Sequence, residues 1–93
     1  MYVISYDITS DRLRNKVAKV LSGYGRRVQY SVFECRISQK SMEELYKRLA
    51  LLMADADESS IRFYHLCGKC EGGIQELGLP KDDEPDLKDT III

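Results

Sequence analysis

The chain has no tryptophan, one histidine, three cysteines and two prolines, Pro80 and Pro85, both near the C-terminus of its 93 residues. With a single histidine, any general base or proton shuttle of that type is His65, and its neighbours Phe63 and Cys67 suit a packed or edge histidine better. Cys67-Gly68-Lys69-Cys70 has the spacing of half a zinc knuckle, which His65 and Cys35 would have to complete. No second CxxC and no HxxxH accompanies it, so structural zinc at Cys67 and Cys70 is disfavoured. The pair follows a strand instead of opening a helix, which argues against a thioredoxin-type redox motif, and reduced cysteines are expected. A glycine-rich phosphate loop, GxSxG and HExxH are all missing, so those nucleotide-binding, hydrolase and metalloprotease chemistries have no motif to stand on. The acidic clusters at residues 55–58 and 82–86 lack the glycine and spacing of a calcium loop. The longest apolar run, residues 49–54, is too short to cross a bilayer, and the N-terminus lacks the basic-then-apolar pattern of a signal peptide. The expected location is the cytoplasm.

What is present is a small domain of ordinary composition, 44% hydrophobic and 31% charged, near the lower limit at which one core supplies enough stability. Dimerisation would help such a chain. The net charge is only −1, but the charges are segregated. Residues 11–40 carry Arg12, Arg14, Lys16, Lys19, Arg26, Arg27, Arg36 and Lys40 against Asp11 and Glu34, whereas residues 55–93 carry ten acidic residues and four basic ones. A basic surface able to track phosphates can therefore coexist with an acidic one on a near-neutral protein. The alternative is an ordinary solvated helix face.

Residues 2–8, Tyr-Val-Ile-Ser-Tyr-Asp-Ile, are β-branched and aromatic and read as a strand. Residues 11–24 place Leu13, Val17, Val20, Leu21 and Tyr24 on one helical stripe, with Arg12, Lys16 and Lys19 together on another face. Ser10 is the expected N-cap, and Gly23 or Gly25 the stop. Residues 27–37 are β-rich but long for one strand, which predicts a bend, a bulge or a division near residues 29–31. Ser41-Met42-Glu43-Glu44 reads as a capping box that opens a second helix ending near Ala54. Residues 61–67 alternate as a further strand, with Ile61, Phe63, His65 and Cys67 on one side, and a short strand is possible at residues 74–77. The order β, α, β (or two), α, β gives an α+β sandwich of the ferredoxin-like βαββαβ kind. Residues 1–79 form its core and residues 80–88 an acidic linker. Residues 89–93, ending Ile91-Ile92-Ile93, form a strand that must be paired to avoid aggregation, preferentially on a partner's sheet in a homodimer.

Asp7 falls at the C-terminal lip of the first strand, where α/β proteins place chemistry on rigid backbone. One carboxylate is a candidate Mg²⁺ ligand, yet it is too little alone, because Mg²⁺ takes one or two carboxylates plus waters and substrate phosphate. A two-fold axis that brought Asp7 to its symmetry mate would complete the pair. The competing reading is a simple strand-end turn residue. Tyr6, Tyr30 and Phe33 are candidates for stacking on bases, although aromatics in strands more often belong to a core.

Tyr6-Asp7-Ile8, Leu13-Arg14-Asn15-Lys16-Val17-Ala18 and the block Tyr24-Gly25-x-Arg27-Val28-Gln29-Tyr30-Ser31-Val32-Phe33-Glu34-Cys35 resemble the CRISPR-associated protein two family, the small subunit of the spacer-acquisition machinery. Ile61-Arg62-Phe63-Tyr64 and Asp89-Thr90-Ile91-Ile92-Ile93 resemble its later strands, so the likeness spans essentially the whole chain. It implies a ferredoxin-like homodimer whose last strand completes the partner's sheet, with Asp7 and its mate binding Mg²⁺, or Mn²⁺ in its place. It also implies metal-dependent cleavage of single-stranded RNA or double-stranded DNA, and a bridging place beside the CRISPR-associated integrase. Tyr6, Arg14, Arg27 and Phe33 match positions implicated in that activity. Lys16 stands where the family often has Arg, which keeps the charge and loses bidentate phosphate geometry. Arg12, Arg14, Lys16, Lys19, Arg26 and Arg27 are the expected nucleic-acid contacts. A scaffold that binds DNA without cleaving it, with Asp7 dispensable, is the rival expectation, and a regulatory module without nucleic acid is a third.

Overall fold

Two helices begin on serines and lie over one face of a four-stranded antiparallel sheet. The computed structural model describes residues 1–68, 72–75 and 77. In chain order the elements are β1 (Tyr2–Asp7), α1 (Asp11–Ser22), β2 (Arg26–Gln29), β3 (Val32–Cys35), α2 (Gln39–Leu52) and β4 (Ser60–His65). The sheet order is β2-β3-β1-β4, with every pair antiparallel. Two split βαβ units interleaved in this way make the ferredoxin-like arrangement.

The period of two in β1 separates its side chains cleanly. Ile4 and Tyr6 are buried toward the helices, while Val3, Ser5 and Asp7 alternate with them on the other face. Across the sheet Ile4 is paired with Phe33 on one side and Phe63 on the other, so these three share the helix-facing layer. Val17 and Leu21 from α1 and Met42, Leu45 and Leu49 from α2 close on that layer to form the core.

Ser10 caps α1 as its sequence position predicts, accepting from the Leu13 amide at 3.2 Å. Gly23 is the C-cap. Gly25 serves a different purpose: a Cβ there would lie 2.3 Å from the Glu34 carbonyl oxygen and 2.6 Å from Cys35 Sγ, so only glycine lets the chain pass this close to β3. The long β-rich run both bulges and divides. The register shifts between Arg27 and Gln29, and residues 30–31 turn the chain from β2 into β3.

Three expectations need correction. The second helix starts earlier than the Ser41 capping box implies, because Ser38 is the N-cap and accepts from the Ser41 amide at 3.1 Å. Starting there places Ile37 before the cap and Met42 at the fourth helical position, both packed on the core, the two positions of a hydrophobic staple. Secondly, β4 ends at His65, which is exposed and stacked on Tyr2 with centroids 4.6 Å apart, so Cys67 lies beyond the strand. Thirdly, Ile74, Gln75 and Leu77 belong to no strand and are exposed; residue 76 is outside the described residues. The expected linker at 80–88, the strand at 89–93 and Cys70 also lie outside the described residues.

Candidate functional site

The side chains singled out from sequence divide into three groups on different parts of the molecule. The first is Asp7 itself. It is exposed at the end of β1, paired in register with Ser60, and strand parity turns it to the face away from the helices. That face also carries Val3 and Ser5 from β1, and the row Arg26, Glu34, Val3, Tyr64 runs across the four strands. Arg26 is therefore on the side of Asp7.

The second group lies at the same end of the sheet on the helix side. Tyr6 is 4% exposed and Phe33 1%, and their rings stack with centroids 6.3 Å apart. Both hold Arg27: its guanidinium carbon is 5.3 Å from the Phe33 centroid, and its Nη2 donates to the Tyr6 hydroxyl at 3.4 Å. The Tyr6 hydroxyl donates in turn to the Tyr30 carbonyl at 3.3 Å, and the Tyr6 amide to the Ser31 carbonyl at 3.0 Å, which fastens the β2–β3 turn to β1. Arg14 closes the group from α1. Its Nη1 donates to the Ile8 carbonyl at 3.0 Å and its Nη2 pairs with Asp11. The Asp11 hydrogen bond, with a smaller contribution from the Tyr30 phenol, pushes the Arg14 pKa above the usual arginine value. Both terminal nitrogens of Arg14 are thus spent on the chain, pinning the first turn of α1 to the strand end that carries Asp7.

The third group is Arg12, Lys16 and Lys19, all exposed on the face of α1 opposite its buried Val17 and Leu21. This basic stripe is part of the helix layer, whereas Asp7 is on the open side of the sheet. The sequence brings Tyr6, Arg14, Arg27 and Phe33 together as one constellation and leaves Asp7 and the stripe apart from it. Tyr30 was indistinguishable from Tyr6 and Phe33 as a stacking candidate; its place in a turn was the signal that could have set it apart.

Asp7 offers hard carboxylate oxygen on rigid backbone, the donor chemistry that Mg²⁺ or Mn²⁺ takes. Among the described residues no three His, Cys, Asp or Glu side chains gather in a group that could hold a metal ion. One chain therefore supplies a single carboxylate, which fits Mg²⁺ only as part of a shared ligand set. No helix among the described residues is long and apolar enough to cross a membrane.

Comparison with known proteins agrees with this architecture. A relative from Synechocystis sp., named CRISPR-associated endoribonuclease Cas2 3, is 47% identical over 85 residues, covering 91% of each chain. The solved structure of Streptococcus pyogenes Cas2 superposes with a TM-score of 0.69 at 32% identity, covering 83% of this chain and 98% of that one. A chain of a partial Cas6-RT-Cas1–Cas2 complex superposes with a TM-score of 0.63 at 28% identity, covering 82% and 88%. The family model described as CRISPR associated protein Cas2 matches residues 1–74, which takes in every element of the sheet and both helices. The chain belongs to the CRISPR-associated Cas2 family.

Proposed function

We propose that this chain acts in CRISPR adaptation as a homodimeric, metal-dependent endonuclease, cleaving phosphodiester bonds of single-stranded RNA or double-stranded DNA, and bridges a Cas1-type integrase. The observation that carries the catalytic part is Asp7, an exposed carboxylate on the rigid end of a central strand, in a chain similar to relatives named as endoribonucleases. The sheet face that bears Asp7 has no layer over it among the described residues. A second copy docking there would bury Val3 and Tyr64 and could bring the two Asp7 carboxylates to one site.

Asp7 and its mate would hold the Mg²⁺ or Mn²⁺. A bound divalent ion supplies Lewis-acid polarisation of the phosphate and a more acidic water. The chain's own contribution is positional. Arg14 locks the loop after Asp7 through Ile8 and Asp11, and Arg27, held by Phe33 and Tyr6 at the same end of the sheet, would supply positive charge to phosphates flanking the bond being cut. Tyr6 and Phe33 act through Arg27, since both are buried. The partner reading draws on the likeness to a chain of a Cas1–Cas2 complex.

A second reading, a DNA-binding scaffold without cleavage, is favoured by one observation: Arg12, Lys16 and Lys19 form an exposed stripe on a different layer from Asp7. One experiment decides. Wild type and Asp7→Ala, purified identically and checked to be dimeric, are compared for cleavage of single-stranded RNA and duplex DNA with Mg²⁺. The nuclease reading expects activity that chelation removes and that falls at least roughly a hundredfold in the variant. Activity absent from both proteins leaves the scaffold, whereas activity that survives the substitution shows Asp7 to be dispensable and removes the metal site proposed at it.

A further inference from the structure

Of the three aromatic side chains that sequence places near the basic residues, Tyr6 and Phe33 are sealed in the core and cannot reach a base. Tyr30 is 55% exposed in the β2–β3 turn and takes no part in the hydrophobic core. Its position is nonetheless built. The Tyr30 carbonyl and the neighbouring Ser31 carbonyl are both held by Tyr6, so the turn is anchored to the central strand. The Arg27 guanidinium lies 5.9 Å from the Tyr30 ring centroid. That guanidinium is itself fixed by Tyr6 and Phe33. An exposed ring beside an immobilised cation has the chemistry of a nucleotide seat: a π-face for the base and positive charge for its phosphate.

We propose that Tyr30 is a stacking platform for an unpaired nucleobase, with Arg27 neutralising a flanking phosphate, so that the β2–β3 turn takes one nucleotide of a single strand. Base pairing and stacking within a duplex cover the face that Tyr30 would meet, so the seat selects unpaired nucleotides. The basic stripe on α1 tracks phosphates of either form and gives no such selection. The proposal rests on the nucleic-acid reading above and deepens it, assigning to one turn the preference for single strands.

The test uses the full-length dimer with Tyr30→Ala, Tyr30→Phe and Tyr30→Trp, titrated with an oligothymidylate, an abasic phosphodiester strand of equal length, and a duplex. Tyr30→Ala should weaken the oligothymidylate complex by about tenfold while Tyr30→Phe stays near wild type, because the ring and not the hydroxyl stacks. The duplex and the abasic strand should be bound equally by all four proteins. The chain has no tryptophan, so Tyr30→Trp provides a single reporter whose emission should be quenched by the base-bearing strand and unaffected by the abasic one. Equal oligothymidylate affinity in wild type and Tyr30→Ala, or indole emission from Tyr30→Trp that stays unquenched on binding, overturns the seat while leaving the salt-sensitive binding of the nucleic-acid reading intact. A wild type that binds none of the three probes overturns both.

Discussion

The Arg27 guanidinium lies 5.3 Å from the centroid of Phe33, a ring that is itself sealed from solvent. A cation over a buried aromatic is held by the ring's quadrupole and by the shape of the guanidinium plane, and lysine reproduces the charge without the plane. Arg27→Lys is therefore expected to lose about 0.5–1 kcal/mol of stability in urea denaturation and to lower nucleic-acid affinity, with the salt slope of binding unchanged. A variant as stable as wild type would mean that the ring does not hold the guanidinium.

Gly25 and Gly23 separate two roles that their spacing alone blurs. A Cβ at Gly25 would meet Glu34 and Cys35 at under 3 Å, whereas at Gly23 its nearest neighbour is the Val20 carbonyl at 3.4 Å with ordinary helical φ. Gly25→Ala should lower the melting temperature by roughly 5–20 °C through overpacking against β3. Gly23→Ala should be neutral or raise it by a few degrees, by narrowing the unfolded ensemble. Calorimetry on the pair checks the contrast, and equal effects would mean that the α1–β2 connection can relax.

Helix α2 provides a similar discrimination. Ser38 accepts from the Ser41 amide, while the Ser41 hydroxyl accepts from the Ser38 hydroxyl at 3.2 Å and caps no amide among the described residues. Ser38→Ala should cost about 1 kcal/mol and Ser41→Ala a few tenths at most, measured by chemical denaturation. The reverse order would restore the capping box at Ser41.

These three cases show what could be read from the chain and what could not. β1 and α1 follow from periods of two and 3.6 that run through contiguous residues, so Asp7, Ser10 and the stripe of Arg12, Lys16 and Lys19 were legible. Ser38 and Ser41 carry the same capping chemistry, and only the core, through Ile37 and Met42, selects between them. Glu44 accepts from the Tyr24 hydroxyl at 2.9 Å, which also receives Arg48 at 3.2 Å, so it ties the segment after α1 to α2 across 20 residues of sequence. Tyr30 is exposed because it falls in the β2–β3 turn, which the length of the β-rich run suggested near residues 29–31 without saying which residue would turn. Its difference from Phe33, three residues away, appears only once the turn is formed.

Cys35 gives the fold a pH dependence of its own. Its side chain is fully buried, paired in register with Tyr2 of β1, and burial raises the thiol from an ordinary value of 9.0 to about 11. The folded chain thus keeps this proton over a range in which the unfolded chain releases it. Stability from Cys35 is complete below pH 9 and declines as pH rises from there through about 11, because the unfolded state binds fewer protons in that interval. Tyrosines and lysines titrate nearby, so the quantity to measure is the difference between wild type and Cys35→Ala in unfolding free energy from pH 8 to 11. That difference should fall with pH; a flat one would show that the thiol ionises as readily inside the fold as outside it. In the native protein at pH 8 Cys35 should also resist a disulfide reagent that labels the exposed Cys67, since both access and thiolate are denied to it.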